Sequence, residues 1–319
     1  MVAVGYTLMC EQTGPKELVD YARRAEDVGF DFEVISDHYY PWLDSQGHSP
    51  YAWSVLGAVA HTTSRVDLMS FVTCPIRRYH PAVVAQKAAT VGLMSDGRFT
   101  LGVGAGENLN EHVVGAWPHV QQRHDMFEEA LQIMRSLLDG ETVTYSGEYY
   151  DVPEAYLWDR PDGGVPIAVA ASGPSSSALA GEYADGVIAV EPDAKVLELF
   201  DEAGGGGKPR FGQVAICWGP DEADCRKRVL DQWRWSPLGW KVNAELPGPD
   251  SFAAATQFVR EEDLVRTVPC GPDVDKHVEA FNKYVDAGFT HVAFVQVGGE
   301  SQPDFLDWAE RELLPRLRT

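Results

Sequence analysis

VAVGYTLMCEQTGPKELVDYARRAEDVG, residues 2–29, decides the fold. Its first eight residues are a nearly unbroken apolar run, the pattern of a strand buried on both faces. Pro15 opens a helical stretch, PKELVDYARRAEDV, and Gly29 stands where such a helix ends. Between them lies the turn CEQTGP, with one glycine. A doubly wound sheet usually carries G-x-G-x-x-G in this first strand–helix turn, and here the glycine cluster, GVGAGE at 102–107, comes much later.

The same alternation continues along the chain. Strand-like runs are FEVIS (32–36), VDLMSFVT (66–73), FTLGVGAG (99–106), VPIAVAAS (165–172), DGVIAV (185–190), FGQVAICWG (211–219) and THVAFVQV (290–297). Helical patterns follow nearly all of them: 51–63, 81–94, 119–139, 175–183, 194–202, 221–233, 276–287 and 303–317. A polar, aromatic stretch at 142–152 reads as a hairpin, 234–267 is less regular, and GGGG at 204–207 reads as a flexible loop. With the first run there are eight strands separated by helices, which predicts a parallel sheet. Over 319 residues the expected fold is α/β, a (β/α)8 TIM barrel with insertion segments after several strands, forming a single domain over 1–319.

Composition narrows the function. The net charge of −22 argues against nucleic acid and anionic membranes as partners. No apolar stretch reaches the roughly 18 residues of a membrane span, and the N-terminus lacks the basic segment of a signal peptide. Cys10, Cys74, Cys217, Cys225 and Cys270 are scattered and form no C-x-x-C pair, so neither a disulfide framework nor a zinc site is expected. A cytoplasmic protein acting on a small molecule fits these features. The histidines lack metal-ligand spacing and there is no G-x-S-x-G elbow, so no metal and no serine triad are expected.

A barrel places its reacting groups at the C-terminal ends of the strands. Glu11 stands after the first strand, and the second leads into DHYYPWLDSQGH, with Asp37, His38 and Trp42. Phe71, Val72 and Cys74 end the third strand, and Ala105, Gly106, Glu107 and Asn110 follow the fourth. Ala171, Ser172 and Gly173 precede a serine-rich helix start, where backbone N–H groups and hydroxyls make a phosphate cradle. Taken singly, each has a structural explanation: a surface pair, a core cap, a helix-start carboxylate, a serine N-cap. Their shared placement at one barrel face favours a site.

SDHYYPW, CPIRRYHPAVVAQKAAT, GVGAGENLNE, and DGGVPIAVAASGP followed by YADG together resemble the luciferase-like group of deazaflavin-dependent oxidoreductases. Within it they resemble the glucose-6-phosphate dehydrogenase branch that uses coenzyme F420, over nearly the whole chain. The resemblance implies a barrel, a homodimer, and a deazaflavin across the strand ends. It implies His38 as base, Trp42 packed over the reacting centre, Glu107 near the ring nitrogen and Glu11 as a further pocket carboxylate. Asp37, Cys74, Ala105, Gly106, Asn110, Ala171, Ser172 and Gly173 match coenzyme contacts, and Phe71–Val72 matches a non-proline cis peptide. Arg266 matches a substrate-binding arginine. The chain departs from the family at the phosphate ligands, which align with Val190 and Asp193, or within 191–195, and with Glu245. Carboxylates there would repel a phosphate dianion, so a neutral alcohol or its carbonyl counterpart is expected as substrate. The alternatives are an FMN-dependent monooxygenase on the same barrel and a deazaflavin-binding protein without catalysis.

Overall fold

The computed structural model describes residues 2–318. Among the described residues ten strands occur: β1 (Ala3–Leu8), β2 (Phe32–Ile35), β3 (Asp67–Ser70), β4 (Phe99–Val103), β5 (Val143–Ser146), β6 (Asp151–Ala155), β7 (Ile167–Ala170), β8 (Gly186–Ala189), β9 (Arg210–Ile216) and β10 (His291–Gln296). Eight close into a barrel in the order β1-β10-β9-β8-β7-β4-β3-β2, and β5 with β6 forms the expected hairpin outside it. All barrel pairings are parallel, and closure comes from β1 pairing with both β2 and β10. The fold expected from the alternation is therefore the one observed.

The longer helices are α1 (Pro15–Val28), α2 (Ala52–Thr62), α3 (Pro81–Met94), α4 (Asn108–Glu111, a single turn), α5 (Val120–Leu138), α6 (Pro174–Tyr183), α7 (Ala194–Phe200) and α8 (Glu222–Trp233). Then come α9 (Trp240–Asn243), α10 (Pro249–Ala255), α11 (Glu261–Leu264), α12 (Val274–Ala287), α13 (Gln302–Trp308) and α14 (Leu314–Leu317). Proline at the first turn starts α1, α3 and α6, where its missing N–H costs nothing. Gly29 ends α1 in the left-handed conformation (φ 102°) that a side chain would disfavour. Among the described residues no helix is long and apolar enough to cross a membrane.

Three packed layers position the site. Phe32, Val34, Met69, Ala168, Ile188 and Ala293 fill the barrel interior. A larger cluster joins the strands to the surrounding helices. A third lies over the strand ends, where Trp42, Leu109, Trp233, Phe252, Leu264 and Val268 pack together. The irregular stretch at 234–267 supplies much of this third layer through α10 and α11. Its irregularity in sequence reflects short helices ordered by that contact.

The glycine run at 204–207 departs from the expected flexible loop. Gly204 is left-handed (φ 99°), and Gly205 is buried where a Cβ would overlap the Phe200 ring. Lys208 Nζ then donates to the carbonyls of Gly181 (3.0 Å) and Ala184 (2.8 Å). The first half of the run is a packed helix end, because Gly181 leaves room for Ala203.

Glu33, on β2, is 1% exposed, and neither carboxylate oxygen has a hydrogen-bond partner. Burial pushes its pKa well up. Replacing it with methionine removes an unsatisfied buried polar group at similar side-chain length. Glu33→Met is expected to stabilise the fold by about 1–3 kcal/mol, read as a higher denaturant midpoint. A lower midpoint would show that Glu33 has a partner in solution.

Candidate active site

Asp37 and His38 leave β2 in opposite roles. The Asp37 carboxylate is 2% exposed and accepts four hydrogen bonds. Thr73 Oγ1 (2.8 Å) and Trp53 Nε1 (3.1 Å) bind Oδ2, while Arg78 Nη2 (3.0 Å) and Tyr79 O–H (3.2 Å) bind Oδ1. Arg78 Nη2 also donates to the Asp37 carbonyl at 2.8 Å. Asp37 thus anchors the loop, fixing where the next residue points.

That next residue is His38, held between two carboxylates. Its Nδ1 lies 3.2 Å from Glu11 Oε1 and 3.2 Å from the Tyr40 carbonyl. Its Nε2 lies 3.5 Å from Glu107 Oε2. Two acceptors at Nδ1 favour the tautomer protonated there, leaving the Nε2 lone pair toward Glu107 and the pocket. Glu11 is 1% exposed and is itself held by Ser36 Oγ, which donates to Oε2 at 2.6 Å. Asn110 Nδ2 donates to Glu107 Oε2 (3.0 Å), and the Asn110 carbonyl oxygen accepts from Tyr39 N–H (2.8 Å). Burial pushes the Glu107 carboxyl up, His38 pulls it down, and Glu11 pushes it up again.

Trp42 covers one side of His38, with ring centroids 5.0 Å apart. The Trp42 ring stacks on Trp235 at 4.1 Å and 9° and meets Phe252 edge-on at 5.1 Å. Gln46 Oε1 accepts from the Trp42 N–H at 2.8 Å, pinning the loop. Trp42, with Trp235 and Phe252 behind it, therefore makes an apolar wall beside one titratable group.

A pocket of about 50 Å³ opens beside these groups, lined by Asp37, His38, Phe71, Val72, Cys74 and Gly106 and by Glu107, Asn110 and Glu111. The Phe71–Val72 peptide is cis, as the family resemblance implies. Gly106 is left-handed (φ 84°), and a Cβ there would collide with the Cys74 sulfur. Burial pushes the Cys74 thiol well up, so it stays protonated. Ala105 stands partly buried beside this turn. Phe71, Val72 and Cys74 line one part of this pocket, and Asp37, His38, Glu107, Asn110 and Glu111 line the rest.

The proposed phosphate cradle is narrower than the sequence indicates. Ala171 is buried, and Gly173 caps α6 in extended conformation. The Ser172 N–H donates to Ser176 Oγ (3.1 Å), which in turn donates to the Gly173 carbonyl (3.1 Å). Pro174 has no N–H, so Ser172 and Pro174 offer no free backbone donor at this helix start.

Arg266 does not join the pocket. It lines a separate cavity between α8 and α12 that shares no residue with the one at His38. The helical period of α11 and the turn after it bury Leu264 and Val268 and leave Arg266 outside. Glu245, by contrast, is near the site: its carbonyl accepts from Asn108 Nδ2 (2.8 Å), next to Glu107. Its carboxylate pairs with Arg123 at 2.7 Å.

Arg78 and Glu111 escaped the sequence reading. Glu111 Oε2 accepts from Arg78 N–H at 2.7 Å, and Arg78 Nε lies 3.5 Å from Glu111 Oε1. Burial raises Glu111 to about 7 against the pull of Arg78. Both lie within quoted motifs, RRYHP and ENLNE, yet nothing local marks them as a buried pair. With the folded pKa above the ordinary 4.5, the folded state holds the proton more tightly than the unfolded one. Its stabilisation is complete below pH 4.5 and is lost as pH rises through about 7. Glu111→Gln is expected to flatten the stability profile across this window. A denaturation series over that pH range that shows the same slope in both proteins would refute this assignment.

Comparison with known proteins gives the wider context. A family model described as luciferase-like monooxygenase matches residues 3–291. A protein of Microbacterium testaceum named F420-dependent glucose-6-phosphate dehydrogenase is 38% identical over 98% of this chain and 97% of its own. One of the same name from Beutenbergia cavernae is 39% identical over 100% of this chain and 98% of its own. The chain belongs to the luciferase-like family, in its branch of F420-dependent dehydrogenases. An F420-dependent secondary alcohol dehydrogenase, solved with an F420-acetone adduct, superposes with TM-score 0.90 at 28% identity, covering 100% of this chain and 99% of that one. The luciferase-like barrel also superposes on a tetrahydromethanopterin reductase from Methanopyrus kandleri with TM-score 0.76 at 22% identity, a likeness of fold.

Proposed function

We propose that the protein is an F420-dependent oxidoreductase interconverting a neutral secondary alcohol and its ketone, with His38 as the base. The observation that carries this is His38 held by Glu11 at Nδ1 and facing Glu107 at Nε2, above the Phe71–Val72 floor. When bound, coenzyme F420 supplies the hydride acceptor. The chain's own groups do the rest. Phe71, Val72, Cys74, Gly106 and Asn110 would hold the ring, with Ala105 behind them and Ala171, Ser172 and Gly173 toward the tail. His38 Nε2 takes the alcohol proton as the carbinol hydride departs, and the Glu11 carboxylate stabilises the imidazolium that results. Glu107, whose carboxyl burial pushes up, stands at the pocket edge, where a proton donor to developing charge would act. Trp42, backed by Trp235, excludes water from the carbon that loses hydride.

The substrate class rests on charge. Relatives at 38–39% identity are named for glucose 6-phosphate, whereas the alcohol dehydrogenase at 28% superposes with TM-score 0.90. In this chain the aligned phosphate positions carry Val190, Asp193 and Glu245. Asp193 is a carboxylate that caps α7, and Lys195, the cation within 191–195, pairs with Glu198 at 3.3 Å. Like charge at a binding site costs several kcal/mol of affinity.

Fluorescence titration with oxidised F420 and, separately, FMN tests the coenzyme. Each loaded protein is then offered secondary alcohols and glucose 6-phosphate. Tight F420 binding and bleaching by a neutral alcohol is the expected result. Bleaching by micromolar glucose 6-phosphate overturns the substrate class, and binding of FMN alone overturns the coenzyme. A homodimer is expected on the family resemblance and is checked by light scattering.

A further inference from the structure

The cysteines, scattered in sequence, are free thiols, and the fold brings three of them together. Cys217 lies just past β9, Cys225 on α8 and Cys270 after α11; each is at most 4% exposed, and all three pack in the cluster that holds Trp42. Backbone pairing sets their geometry. Cys217 N–H donates to the Pro269 carbonyl (2.9 Å), and Gly271 N–H donates to the Cys217 carbonyl (3.0 Å), so Cys217 and Cys270 stand opposite each other as parallel partners. Neighbouring strands lie about 4.8 Å apart, inside the roughly 4.4–6.8 Å between Cα atoms that a disulfide spans. The Cys217 sulfur is within hydrogen-bonding reach of the Cys225 and Cys270 thiols. Cys270 also lines the cavity between α8 and α12, which has a volume of about 250 Å³, so a small oxidant can reach its sulfur. Cys217 and Cys270 bracket the chain from α8 through α11, including the stretch that packs over Trp42.

We infer that Cys217 and Cys270 form a reversible disulfide when hydrogen peroxide enters this cavity, a staple joining the two ends of the segment that covers Trp42. Cys270 attacks a peroxide oxygen: an S–O bond forms, the O–O bond breaks and the first water leaves. The Cys217 sulfur then attacks the sulfenic sulfur of Cys270, the S–S bond forms, and the second oxygen leaves as water. Two thiols lose two electrons and two protons, and one peroxide is reduced to two waters. Cys225 receives the Cys217 proton during this attack and passes it to the departing hydroxide. A hydrogen bond from Cys217 pulls the Cys225 thiol down to about 7 against the push of burial, with Gly271 N–H and Arg228 assisting. The inference is independent of the proposed coenzyme and substrate.

To test it, the full chain is reduced, freed of reductant and exposed to hydrogen peroxide, and its thiols are then counted in guanidinium. The expected result is a loss of two of the five thiols, reversed by dithiothreitol, with Cys217 and Cys270 joined in the peptide map. The oxidised chain is expected to unfold at a higher temperature, because the link restricts the unfolded segment between its two ends. Cys225→Ser should still lose two thiols, and Cys270→Ser should lose none. No loss of thiols, a loss that dithiothreitol does not reverse, a link between any other pair, or two thiols lost from Cys270→Ser overturns the inference.

Discussion

His38→Ala is expected to lower turnover of alcohol with F420 by about 10²–10⁴-fold, the usual contribution of a positioned general base. Coenzyme affinity should change little, because His38 forms one edge of a floor made mostly of backbone, Phe71, Val72 and Cys74. Chemical rescue separates a base from a packing residue. Added imidazole should restore part of kcat to His38→Ala, whereas a packing defect would not respond. His38→Gln retains a polar side chain of similar reach without a base and should be as slow. Single-turnover bleaching of F420 reads the chemical step without product release. A variant with the same rate as wild type would leave His38 a structural role only.

Arg78→Met is expected to destabilise the fold by about 3–5 kcal/mol, since it leaves charge buried without a partner. Arg78 is 8% exposed and joins three partners: the Asp37 carboxylate, the Asp37 carbonyl and Glu111. Removing it strands Asp37, whose Trp53, Thr73 and Tyr79 donors cannot replace the cation. Adding Glu111→Gln should recover little of the loss at neutral pH, because without the pull of Arg78 the buried Glu111 carboxyl is already protonated. Lysine should rescue poorly, because it is a point charge without the planar fork that spans Asp37 and Glu111. Denaturant midpoints of the single and double variants measure this coupling directly. A midpoint shift under 1 kcal/mol for Arg78→Met would mean that water solvates Asp37 in solution.

These two expectations differ in how far sequence could have led to them. His38 was legible, because a histidine next to tryptophan after an apolar strand stands where a barrel gathers its reactive groups. Glu107 and Gly106 were legible for the same reason, since a glycine-rich turn after a strand implies close backbone approach. Arg78 was not, although it sits in a motif that was read. An arginine flanked by another arginine looks like solvated charge until one knows that Asp37 and Glu111 come from two other loops. Arg266 lies apart from the His38 pocket. Its alignment resembles a ligand position, yet the burial of Leu264 and Val268 turns it to the other side of its segment.

The barrel and the order of its strands along the chain are readable from the amino acids alone. Those follow from local patterns: apolar runs of strand length, helical periodicity, proline at helix starts and glycine at their ends. Three-dimensional packing brings Glu11 to Nδ1 and Glu107 toward Nε2 of His38, buries Glu33 without a partner, and ties Asp37 to Thr73, Trp53, Arg78 and Tyr79. Such pairings join residues far apart in sequence. Barrel closure between β1 and β10 and the packing of the 234–267 segment set their distances, and no period within one segment encodes those distances.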